Sequence, residues 1–88
     1  MILHELIAII DDDRDLVEQL LEAGVLTEPL ERDYSDEEAE LVRVAHVLLR
    51  ELEVNLPGVE VILRMRQEVI GLRQQMAEVI RTLQSARR

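Results

Sequence analysis

No cysteine, lysine, phenylalanine or tryptophan occurs in this 88-residue sequence, and Tyr34 is its one aromatic side chain. Without cysteine there is no disulfide, no thiol nucleophile and no zinc–thiolate site. A small disulfide-free domain fits a reducing compartment, so the expected location is the cytoplasm. Without Phe or Trp the core must be made of Leu, Val and Ile, which suit helix-on-helix contacts. The three glycines are scattered, which leaves no Gly-rich loop to cradle a phosphate. No apolar run approaches the roughly 20 residues needed to cross a membrane. Residues 1–10 carry His4 and Glu5 and lack both a basic start and a cleavage signature, so no secretory signal is expected.

Positive charge is scarce and unevenly placed. The formal net charge is −9. Residues 1–40 hold 14 acids against Arg14 and Arg32, whereas residues 41–88 hold 5 acids against 8 arginines. An acidic N-terminal half repels phosphate backbones and anionic lipid and attracts basic surfaces. The expected partner is therefore a basic protein, with neither nucleic acid nor membrane involved.

The hydropathy pattern is helical throughout, and the expected class is all-α. Residues 3–10 place Leu3, Leu6, Ile7 and Ile10 on one face. The run Asp11-Asp12-Asp13 ends that helix. A second, over about 13–23, carries the stripe Leu16, Val17, Leu20 and Leu21 and closes at Gly24. Two short helices across a tight turn have helix-turn-helix geometry. Residues 25–34, with Pro29, are the least helical stretch and predict a small hairpin or wing. Ser35-x-x-Glu38 is a capping-box pattern that starts a third helix, running to about residue 53. Its apolar side is Leu41, Val44, Ala45, Leu48, Leu49 and Leu52, widened by Val42 and Val47. Asn55 and Pro57 mark a break and a new helix start. The chain thus divides into a body over residues 1–56 and a C-terminal helix over residues 57–88, within one structural domain.

That last helix carries the sharpest local signal. Ile62, Met65, Val69, Leu72, Met76, Val79 and Leu83 follow a 3,4 spacing, an a/d seam sustained over three heptads. A helix over residues 57–85 is about 43 Å long at about 1.5 Å per residue, whereas a compact body of this size has a radius of gyration of about 12 Å. The helix outruns its body, so the seam predicts a homodimer. Its first heptad is expected to pack internally and the later two outside. Glu68 and Arg73 fall at g and e positions and can pair across a parallel dimer.

Other chemistry fails on inspection. Asp11, Asp13, Asp15 and Glu22 match positions 1, 3, 5 and 12 of a calcium loop, but Leu16 stands where the tight turn demands Gly. His4 and His46 are too few and too far apart for a metal site, and His46 reads as a partly buried structural residue. The carboxylates are clustered without a cleft to separate their acidities. No catalytic residue, no metal and no cofactor is expected, and the protein is not expected to be an enzyme. A helix-turn-helix also raises DNA binding, but residues 12–23 hold five acids against Arg14 alone, the wrong sign for counterion release.

The order of elements resembles the MerR-like winged-helix fold, and within it the chaperone-modulator CbpM family. Glu22-Ala23-Gly24-Val25-Leu26-Thr27-Glu28-Pro29 resembles that family's turn into the wing. Leu49-Arg50-Glu51-Leu52-Glu53-Val54-Asn55-Leu56-Pro57-Gly58-Val59 resembles its helix-break-helix segment, and residues 61–76 its C-terminal coil. The family's wing aromatics are reduced here to Tyr34. The resemblance implies a protein that binds the J domain of a DnaJ/CbpA-like co-chaperone and inhibits its action on Hsp70. J domains present a basic helix, which fits the acidic half. Chosen by charge and expected exposure, the candidate contacts are Asp11, Asp12, Asp13, Asp15, Glu18 and Glu22. The runner-up is a MerR-type transcriptional regulator, which would need a basic surface.

Overall fold

A computed structural model describes residues 1–87. Among them are four α-helices and no strand: α1 (Leu3–Ala8), α2 (Arg14–Glu22), α3 (Asp36–His46) and α4 (Leu56–Ala86). One π-helical turn, Val47–Glu51, continues α3.

Local chemistry explains each boundary. The turn between α1 and α2 passes through Asp11 and Asp12, both left-handed at φ 57° and 58°, a region that Asp tolerates better than most residues. Asp13 then caps α2 by accepting the Leu16 N–H at 3.1 Å. At its other end Gly24, at φ 77°, lets the Val25 N–H reach the Leu20 carbonyl and its own N–H reach Leu21. This pair of bonds is a Schellman closure, for which a left-handed residue is required. Ser35 and Glu38 form the expected capping box, with the Glu38 N–H donating to Ser35 Oγ at 3.1 Å and the Ser35 N–H to Glu38 Oε1 at 3.3 Å. Asn55 caps α4 through the Gly58 N–H at 2.8 Å. A Cβ on Gly58 would lie 2.9 Å from Val54 Cγ1, so this position needs glycine for close approach.

The core is one cluster drawn from every element: Leu6 and Ile10; Leu16, Val17 and Leu20; Leu26 and Tyr34; Ala39, Val42 and Ala45; and Val59 and Leu63. Because α4 supplies the last two, residues 1–56 do not complete this core by themselves. The molecule is long, with extents of 54 × 27 × 20 Å and a radius of gyration of 16.4 Å. A spherical chain of this length would have a radius of gyration of about 12 Å.

Three expectations change. No hairpin forms over residues 25–34. Gly24 and Val25 are used by the α2 closure, Pro29 has no N–H, and side chains bond the loop carbonyls in place of a ladder. The Tyr34 hydroxyl donates to the Leu30 carbonyl at 2.6 Å and Arg32 Nε to the Pro29 carbonyl at 3.1 Å. Tyr34 is tied instead to Met1: its backbone N–H donates to the Met1 carbonyl at 2.6 Å, and the Met1 α-ammonium donates to the Tyr34 carbonyl at 3.0 Å. Secondly, Leu52 is 63 % exposed instead of completing the α3 stripe. The π turn places an extra residue in that turn, which carries Leu52 off the buried face. Thirdly, the first heptad of the seam does not pack internally: Ile62 is 36 % and Met65 58 % exposed. The body contacts a neighbouring stripe of α4 instead, namely Val59 and Leu63, with Leu56, Arg66 and Ile70 half-buried beside them.

Candidate functional site

The six acidic candidates divide by role. Asp13 is structural. Besides capping α2, it receives Arg50 Nε at 2.7 Å and Arg50 Nη2 at 3.3 Å, and His46 Nε2 lies 3.7 Å away. Arg50 also donates to Gln19 Oε1 at 2.9 Å. The Arg50 bond holds the Asp13 carboxyl below the usual carboxylate range, with the Leu16 N–H assisting against desolvation. The cluster ties the start of α2 to the end of α3, and Asp13 is mostly covered within it. Its charge is already answered inside the chain.

Asp11, Asp12, Asp15, Glu18 and Glu22 are exposed. Positions 15, 18 and 22 follow helical spacing on the outer side of α2, opposite buried Leu16, Val17 and Leu20. Asp11 and Asp12 extend that side into the preceding turn. Arg14 is the only cation among them, and it pairs with Asp12 at 3.4 Å in full solvent. The arrangement offers carboxylates to a basic surface and lacks the cleft or buried acid–base pair that proton transfer would need.

Tyr34, isolated in the sequence, is buried at 2 % exposure, and burial pushes its hydroxyl pKa up. Arg32 stacks 4.1 Å from its ring centroid and reaches Glu38 at 2.7 Å, holding that carboxyl below its usual range. His46 is half-buried, as a structural histidine would be.

The seven seam residues lie together along α4, and all of them are exposed. Leu72, Met76, Val79 and Leu83 stand at 63, 61, 54 and 59 %. Val61 and Ile80 flank them at 47 % each. At about 100° per residue, the centre of the seam lies roughly 130° around the helix from the stripe that meets the body. No described element of the chain covers it.

Periodicity could not reveal the Arg50–Asp13–Gln19 cluster, because its members are 31 and 37 residues apart. The weak signal available was a lone arginine beside the apolar side of α3. A notch between the start of α3 and the middle of α4 was also unforeseen. It is lined by Asp36, Glu37, Glu40, Arg66, Gln67, Ile70, Gly71 and Gln74, with Arg66 reaching Glu40 at 4.0 Å.

Fold and site together describe a small all-α protein with an acidic helix face and an uncovered apolar seam. No family model matches the chain, and neither does any curated protein or solved structure.

Proposed function

We propose that the chain is a non-catalytic interaction protein that pairs with a second copy through the α4 seam and holds a basic partner on the outer face of α2. In the finer reading α1 and α2 form a MerR-like helix-turn-helix. The partner is then the J domain of a DnaJ/CbpA-like co-chaperone, and the bound modulator inhibits its action on Hsp70. The observation that carries this is the sign of the α2 face. Five exposed carboxylates with one cation stand where a DNA-binding protein would need arginines for the phosphates. An acidic cover over a basic helix would speed association and set orientation more than it sets affinity. In this reading the protein works in the cytoplasm.

Titration calorimetry against a J domain tests the proposal. The expected result is saturable binding that weakens as salt rises. The triple reversal Asp12→Arg, Asp15→Arg and Glu18→Arg should weaken binding and flatten its salt dependence. Asp13 is left intact so that the fold is not disturbed. Absence of binding would remove the co-chaperone reading. A low-salt mobility shift with duplex DNA would favour the transcriptional-regulator alternative.

A further inference from the structure

We propose that the notch between the start of α3 and the middle of α4 is a binding site for an arginine side chain on a basic protein segment, seated over Gly71 with its guanidinium on Asp36 and Glu37. The site belongs to α3 and α4, so it depends on neither the α2 face nor the seam.

The notch follows from a difference in length. α3 is joined to α4 by a short loop and lies back along it, so its first turn faces residues 66–74. There α3 begins, whereas α4 runs on to Ala86. The opening between them has a volume of about 540 Å³. That is within the range of about 300–1,000 Å³ for pockets that hold ligands, and it takes one long side chain with the backbone that carries it.

Gly71 is the residue that asks for an occupant. After proline, glycine is the least favoured residue in a helix interior, yet Gly71 stands at the middle of α4. Its backbone is helical, so no left-handed turn requires it. A Cβ there would meet nothing within 4 Å, so no neighbour in the chain requires it either. Gly58, by contrast, is crowded by Val54. With Ile62 as a, Gly71 is a c position on the side of α4 away from the seam, so a second copy on the seam would not touch it. The missing side chain leaves bare helix backbone in the notch, beside half-buried Ile70. Such a surface lets an outside chain approach closely.

The walls select the charge. Asp36 and Glu37 take part in no ion pair among the described residues. Glu40 is already shared by Arg43 at 3.0 Å and Arg66 at 4.0 Å. Arg66 is the one cation lining the notch, and it is turned to Glu40. Gln67 and Gln74 add amide oxygens along α4. Arginine suits each of these features. Its aliphatic stem covers Ile70 and the Gly71 backbone, and its planar guanidinium brings five donors to the carboxylate and amide oxygens. The lysine ammonium is more strongly hydrated and loses more on entering a partly apolar notch.

An NMR titration of the isotope-labelled full chain with acetyl-Gly-Arg-Gly-amide tests the site. Saturable shifts are expected at the Gly71 backbone amide and at the side-chain amides of Gln67 and Gln74, with Kd on the order of 1 mM for one partly exposed charged contact. Gly71→Leu fills the notch. It should weaken binding by about fivefold or more while raising the thermal midpoint, because leucine favours a helix, so lost space is separated from lost fold. Glu37→Gln keeps the volume and removes a charge, and should weaken binding about two- to fivefold. Acetyl-Gly-Lys-Gly-amide should bind about threefold more weakly than the arginine peptide. Shifts that never saturate, shifts confined to α2, or unchanged binding to Gly71→Leu would overturn the proposal. Equal binding of the lysine peptide would refute the guanidinium contact. The triple reversal on α2 should leave the notch shifts in place, so failure of the α2 face and failure of the notch are read separately.

Discussion

The two halves of α4 carry the same kind of apolar spacing and meet opposite fates. In the near half Val59 and Leu63 are 0 % and 5 % exposed, because α3 and the π turn lie against this end of α4. In the far half Leu72, Met76 and Leu83 stay about as open as free side chains on a helix, because the body ends before them. A heptad pattern therefore records that something must cover a face without saying whether the cover comes from the same chain. In the near half the body covers the neighbouring stripe of Val59 and Leu63 and leaves the seam residues Ile62 and Met65 open. In the far half no described element of the chain covers either stripe.

The largest expected effect breaks the far half alone. Leu72→Asp with Met76→Asp places two charges per chain in the seam, where each apolar side chain contributes about 1.5–3 kcal/mol when buried. The mass by light scattering should fall from two chains to one while helical circular dichroism of the body persists. An unchanged mass would show that the seam is not the dimer surface. Next comes the body. Leu20→Ala removes a fully buried side chain and should cost about 3 kcal/mol of unfolding free energy by urea titration, whereas Leu83→Ala at low concentration, below dimer formation, should cost little.

A smaller effect sharpens the comparison by pH. The Asp13 pKa is lowered chiefly by Arg50, so the pair's contribution is present above the ordinary value of 3.8 and is lost as pH falls through the depressed folded value. Asn caps a helix as well as Asp, so Asp13→Asn removes the charge and keeps the cap. It should cost about 0.5–1 kcal/mol near pH 7, discounted for the partial exposure of Arg50, and almost nothing once the pH has fallen below the depressed folded value. A pH-independent deficit would point to lost capping instead. The smallest effect is a gain: Glu53 holds φ 53° where α3 ends, and Glu53→Gly should stabilise the body by about 0.5–1 kcal/mol by relieving left-handed strain. A loss on that substitution would mean that the Glu53 side chain does more than turn the chain.

Much of this was legible in the residues. The Ser35–Glu38 box, the Gly24 closure, the Asn55–Pro57 start and the seam are local devices, set by hydrogen bonds or spacing within a few positions, and each appears where its residues stand. The loop over residues 25–34 was not legible as a loop, because its bonds run from side chains and from Met1 across more than 30 residues. Nor was the role of Asp13, which the charge pattern grouped with its neighbours on the outer face. Only the approach of α3 brings Arg50 to it.

The sequence by itself determined the helices, their caps, the sign of the α2 face and the existence of an apolar stripe on α4, since all of these follow from spacing and charge along the chain. Tertiary structure decided which stripe of α4 the body covers, that Leu52 is released and that Asp13 is enclosed. Those outcomes depend on how far one helix turns relative to another. The π turn carries Leu52 outward, and the packing of that turn against the start of α2 brings Arg50 onto Asp13 across 37 residues, a distance that no local pattern spans.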